Sequence, residues 1–149
     1  MLQLEKDEID DIEYINSIRQ KLNHPEILGK LIWQVFIQKK YKTLVANIVG
    51  TETVSGIYKI TCRVTQESYI GRSVDIGKRW GEHIKAGCGA VQTNNTNKLY
   101  SSMKKHGVQN FTFEILEKCP VEELSKKESF YINLYSSDVY GLNSQKGDN

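Results

Sequence analysis

Six side chains beyond residue 50 have the types needed to cleave a phosphodiester: Tyr58, Tyr69, Arg79, His83, Glu128 and Asn143. A guanidinium fork can hold phosphoryl oxygens through two hydrogen bonds. An imidazole moves protons near neutral pH. A phenol can do so once its pKa is perturbed, and clustered cations would lower it. A lone carboxylate can hold magnesium, which keeps several waters and takes phosphate oxygens as further ligands. Metal-assisted hydrolysis is the chemistry these types share.

Each residue also has a plainer reading. Gly56-Ile57-Tyr58 and Tyr69-Ile70-Gly71 set their tyrosines eleven residues apart, and most strand tyrosines only pack a sheet face. Arg79 and His83 share a helix face at i and i+4, bordering a stripe of Ile76, Trp80 and Ile84. A solvated arginine beside a half-exposed histidine would give the same spacing. Glu128 lies four residues after Leu124 and four before Ile132, so it falls within an apolar stripe. An ionised carboxylate there is costly unless a cation pairs with it; that cation is either a metal or a side chain such as Arg79. Asn143 alone reads as a loop asparagine.

Spacing also predicts the elements that must carry these residues. Residues 55–62 and 67–71 flank a polar turn, Thr65-Gln66-Glu67-Ser68, and predict a hairpin that sets the two tyrosines side by side. Residues 75–85 predict a helix. Residues 94–106 predict a second, capped by Asn94 and Asn95, with Leu99 and Met103 inward and Gly107 as its stop. Phe111, Phe113 and Ile115 alternate with Thr112, Glu114 and Leu116 as in a strand. A third helix is expected over 120–134. The order β–β–α–α–β–α predicts an α+β domain.

Residues 1–50 differ in character. Ile9, Ile12, Ile15, Ile18 and Leu22 make a helical stripe behind an acidic first turn. Pro25 suits the start of a second helix, with Ile27, Leu28, Leu31, Ile32, Val35 and Phe36 as its buried face. From Trp33 to Val49 β-branched residues thicken, and helix competes with strand. Gly50 and the polar residues after it mark a boundary. The expected division is a mainly helical N-terminal extension, 1–50, and a second domain, 51–149.

Charge is uneven although the formal net is only +2. Nine Lys or Arg stand against three acids from Lys59 to Lys105, whereas acids outnumber bases from His106 to Glu128. This suits a phosphate-binding face beside a metal-binding pocket, with Arg72, Lys78, Arg79, Lys85, Lys98 and Lys104 as nucleic-acid contacts. It also suits an ordinary solvated surface. Cys62, Cys88 and Cys119 form no Cys-x-x-Cys pair, so a zinc site is not expected and reduced thiols in a cytoplasmic protein are. The acidic N-terminus is not a secretory signal, and the apolar stretch 31–37 is too short to cross a membrane.

Taken together, residues 55–144 resemble the GIY-YIG nuclease family, through Gly56-Ile57-Tyr58, Tyr69-Ile70-Gly71, Arg79, His83, Glu128 and Asn143 in that order. The resemblance implies a three-stranded antiparallel sheet flanked by helices. It implies a metal-dependent DNA endonuclease, with Mg2+ (for which Mn2+ can substitute) on Glu128. Tyr58, with His83, would activate water; Arg79 and Tyr69 would hold the scissile phosphate; Asn143 would support the site. Homing-type relatives can carry another histidine before the second helix, where this chain has Asn94-Asn95-Thr96-Asn97. The competing readings are a catalytically silent nucleic-acid-binding module and a nuclease acting on RNA. Residues 1–50 could serve as a recognition element, a homodimer surface or simple packing. With the sequence ending soon after Asn143, the separate C-terminal DNA-binding domain frequent in homing relatives is not expected within it, as in either a fragment or a stand-alone enzyme.

Overall fold

In the computed structural model, residues 25–89 and 97–143 are described, with side chains from Gln34 onward. The expected stripe from Ile9 to Leu22 and the expected caps Asn94 and Asn95 lie outside the described residues. Helix α1 (Pro25–Val49) precedes the hairpin β1 (Gly56–Cys62) and β2 (Ser68–Ser73). Helices α2 (Ile76–Gly87) and α3 (Lys98–His106) follow, then β3 (Phe111–Lys118) and α4 (Leu124–Tyr135). The strands form one antiparallel sheet in the order β2-β1-β3. This is the α+β architecture expected from the sequence.

Alternation divides the sheet into two faces. Tyr58, Ile60, Cys62, Tyr69, Phe111 and Phe113 share a core with Trp80 and Ile84 of α2 and Leu99 and Met103 of α3. On the other face, Ile57 and Ile70 meet Leu124 and Ile132 of α4. Trp80 anchors the first core, its ring 5.3 Å from that of Phe113 and 6.0 Å from that of Tyr58.

Local chemistry starts each site helix. The Asp75 carboxylate accepts from the Lys78 amide at 3.2 Å and caps α2. For α3 the expected start moves: Asn97 accepts from the Leu99 and Tyr100 amides at 2.7 and 3.3 Å, so the helix begins at Lys98. An asparagine whose side chain already satisfies the free amides sits outside the first turn.

Helix α1 runs through the stretch where strand competed with helix. Ile37 and Tyr41 are fully buried, and Tyr41 donates to the Val108 carbonyl at 2.8 Å. Tertiary burial of one stripe outweighs the small helix penalty of β-branched residues. Of the expected buried face, the side chains of Ile27, Leu28, Leu31 and Ile32 lie outside the described residues, Phe36 packs against the core, and Val35 is 65% exposed, while Gln34, Ile37 and Tyr41 face inward. The apolar residues of α1 are spread around much of its circumference, so sequence could not fix which stripe would be covered.

Two glycines are required by close approach. Tyr58 is paired with Gly71, and its phenol lies where a Cβ on residue 71 would sit. A Cβ on Gly56 would collide with the Glu117 carbonyl across the sheet. Gly71→Ala should therefore displace the Tyr58 ring and destabilise the fold by about 1–3 kcal/mol, the usual overpacking cost. Urea denaturation of the two proteins measures it; an unchanged midpoint would contradict the close approach.

Candidate active site

Tyr58 leaves the middle strand and Tyr69 the edge strand on the same face, with ring centroids 6.3 Å apart. The expected side-by-side placement is present. Between them and α3 lies His83, fully buried rather than half-exposed. Its Nε2 is 2.7 Å from the Tyr58 hydroxyl and its Nδ1 is 2.8 Å from the Tyr100 hydroxyl. Both ring nitrogens are thus satisfied. A neutral imidazole carries one N–H, so one phenol donates to it and the other accepts.

Tyr100 is the residue sequence reasoning missed. A signal was available, because Tyr100 follows Leu99 directly and precedes Met103 by three, so it lies near the buried stripe of α3. Spacing alone does not say that it meets His83 from a different helix.

The electrostatics differ from the expectation for Tyr58. Burial pushes its pKa well above the usual phenol value, with Tyr69 adding to the rise. The Arg79 cation opposes this and does not overcome it. Burial likewise lowers His83 to about 3, and the Arg79 charge adds to that fall. Tyr100 is raised, again chiefly by burial. At neutral pH all three groups are uncharged, the state a low-dielectric pocket favours.

Arg79 borders this cluster from α2. Its side chain remains 41% exposed, and Nη1 donates to the Glu82 carboxylate at 3.1 Å. It thus keeps a solvent-facing cation beside the phenols, as a phosphate-holding group requires.

Glu128 reaches the sheet from the opposite face. Leu124, Glu128 and Ile132 are the buried residues of α4, which confirms the carboxylate's place within the apolar stripe. The carboxylate forms an ion pair with Arg72 of β2, at 3.8 Å. That distance is beyond hydrogen-bond length. Tyr69 and Arg72 lie on opposite faces of the same edge strand, so the site is divided across the β2 edge.

Asn143 holds that edge. Fully buried, it accepts from the Ile70 amide at 2.8 Å through Oδ1 and donates to the Ile70 carbonyl at 2.9 Å through Nδ2. Ser137 donates to the same Oδ1 at 2.6 Å. The side chain acts as a one-residue strand on the open side of β2. Its contacts are structural, and they position Tyr69 and Gly71 on either side of Ile70.

Of the expected nucleic-acid contacts, Lys78 and Lys85 on α2 and Lys98 and Lys104 on α3 are exposed, and Arg72 is partly so. Lys98 also donates to the Asn143 carbonyl at 3.3 Å.

Among the described residues there is no cluster of three or more His, Cys, Asp or Glu. A hard cation here would take its one protein oxygen from Glu128 and fill its shell with water and substrate oxygens, as magnesium commonly does.

A sheet of this order, two tyrosines on one face and a carboxylate helix on the other define a small nuclease-type catalytic module. Residues 54–143 match the family model described as the GIY-YIG catalytic domain, and the chain belongs to that family. Intron-associated endonuclease 1 of Enterobacteria phage T4 is 35% identical over 94 residues, which are 60% of this chain and 36% of that protein. The chain thus matches only about a third of that relative's length. The catalytic domain of homing endonuclease I-TevI superposes with a TM-score of 0.54 at 31% identity, covering 61% of this chain and 98% of that one. A mutant of the catalytic domain of intron endonuclease I-TevI gives 0.53 at 31% identity, covering 62% and 95%.

The buried histidine predicts a pH dependence. Its folded pKa of about 3 is depressed from the ordinary histidine value of 6.5, so the unfolded chain binds the extra proton between these values. Its contribution to stability is complete above pH 6.5 and is lost progressively as pH falls toward 3. His83→Gln should flatten this part of the stability profile. Urea midpoints at several pH values test it; parallel profiles would show that His83 is not the titrating group.

Proposed function

We propose that this protein is a metal-dependent DNA endonuclease that hydrolyses phosphodiester bonds at the edge of its sheet. The observation that carries the proposal is the Tyr58–His83–Tyr100 chain of hydrogen bonds beside Arg79, on a scaffold whose relatives are named endonucleases.

A phenol held far above its usual pKa cannot wait as phenolate, and an imidazole with a pKa of about 3 cannot hold a second proton at neutral pH. What these groups can do is pass a proton without storing charge. With His83 protonated on Nδ1, Tyr58 donates to Nε2. A water attacking phosphorus gives its proton to the Tyr58 oxygen as the Tyr58 proton moves to Nε2. The Nδ1 proton moves to Tyr100, whose own proton leaves to solvent. The phosphorus–oxygen bond to the 3′-oxygen breaks, and that oxygen takes a proton from solvent. Arg79 and Tyr69 hold the non-bridging oxygens, where negative charge builds up. Glu128 would hold magnesium, whose chemistry when bound is Lewis-acid stabilisation of the leaving oxygen. Asn143 keeps the β2 edge in register throughout.

Conversion of supercoiled plasmid at low salt tests this reading. The wild-type protein should nick or linearise with magnesium and not with chelator. Glu128→Ala should abolish cutting. Tyr58→Phe should slow it on the order of 100-fold or more, and Tyr100→Phe by about 10-fold, within or just below the range for positioned proton-transfer groups. Folded wild-type protein that never cuts DNA would overturn the reading, and cutting by Glu128→Ala would overturn the metal assignment.

A further inference from the structure

Helix α1 lies outside the segment that matches the family model, residues 54–143. It packs alongside α2, and the two helices enclose a groove of about 590 Å3. One wall carries Lys39 and Lys42 of α1, and the other carries Lys78 and Lys85 of α2. The floor includes Ile84 and Tyr41, both buried. Gly81 keeps the α2 side open, since a Cβ built there meets nothing within 4 Å.

The charge of the groove is one-sided. Its single acid, Glu82, is engaged by Arg79 at 3.1 Å. Among the described residues, none of the four lysines has an ion-pair partner. Four exposed ammonium groups lining one groove repel one another, and an anionic ligand would relieve that. Lys78 and Lys85 are seven residues apart, about 10 Å along the helix axis, so the groove presents charge over a length rather than at a point. It is also continuous with the candidate site, because Lys78 adjoins Arg79 and Glu82 lines the groove while pairing with Arg79.

We propose that the groove between α1 and α2 binds the phosphate backbone of duplex DNA flanking the cleaved bond, with Lys39 and Lys42 supplying a wall from outside the segment that matches the family model. This rests on the reading of the site as a DNA endonuclease. A linear polyanion matches a row of lysines that leads to Arg79, and ammonium contacts to phosphate give affinity and register rather than sequence.

The test is fluorescence anisotropy of a labelled DNA duplex with the full chain, in chelator, over a series of potassium chloride concentrations. Lys39→Ala/Lys42→Ala should reduce the slope of log K against log salt by about 2, since each phosphate contact contributes about 0.9. Lys118→Ala/Lys126→Ala, on exposed lysines away from the groove, should leave the slope unchanged. Gly81→Glu adds a carboxylate in open space and improves helix propensity; it should weaken binding without lowering Tm. An unchanged slope in Lys39→Ala/Lys42→Ala, with wild type cutting plasmid, overturns the groove assignment alone. So does loss of self-association in sedimentation with DNA affinity intact, which would give the groove to a second copy. A reduced slope in a protein whose wild type never cuts overturns the nuclease reading and leaves the groove standing.

Discussion

Burying a histidine between two phenols sets a condition that three elements must meet together. An imidazole in an apolar core is tolerated only if both nitrogens find partners, because each unsatisfied polar atom carries its full desolvation cost. His83 lies on α2, Tyr58 on the central strand and Tyr100 on α3. If any of the three shifts by an ångström, a buried polar atom loses its bond. The Trp80 ring beside Tyr58 and the bare Cα of Gly71 beneath it leave that phenol little room to move. The hydrogen-bonded chain that the proposed proton path would use is thus the same chain that lets the core form.

The sheet has only three strands, and its β2 edge would otherwise expose unpaired amides and carbonyls. The turn after α4 covers it. Leu142 donates to the Ser68 carbonyl at 2.8 Å, and the Asn143 amide group pairs with both backbone groups of Ile70. Ile70 is therefore held from outside by a side chain, while its neighbours Tyr69 and Gly71 lie opposite Ile60 and Tyr58 of β1. This fixes the strand that carries Tyr69 on one face and Arg72 on the other, so the two halves of the site share one rigid support.

Electrostatics follow burial more than net charge. The Arg79 cation lies close enough to oppose the rise of Tyr58 and to add to the fall of His83, yet desolvation is the larger influence on both. Some of the basic residues counted in the sequence have structural work. Lys59 lies 4.2 Å from the Tyr135 ring centroid and 3.7 Å from Glu114, and Arg63 donates to Asn110 at 3.3 Å. Of the Lys and Arg residues counted from Lys59 to Lys105, the exposed ones among the described residues lie on α2 and α3.

The sequence by itself determined the hairpin, the third strand, the helix order and the stripe that buries Glu128, because periods of 2.0 and about 3.6 are properties of the local chain. It also singled out Tyr58, Tyr69, Arg79, His83, Glu128 and Asn143 as candidates. Periodicity could not show that Asn143 would brace Ile70 across 73 residues of chain or that Tyr100 would complete the histidine's hydrogen bonds. Nor could it show that Arg72 would meet Glu128, or which stripe of α1 would face the core. Only the tertiary structure decided these, because each depends on the distance and burial between groups far apart in the chain. The sign of the Tyr58 shift has the same origin: neighbouring cations are legible in a sequence, but the removal of water that outweighs them is a property of the packed molecule.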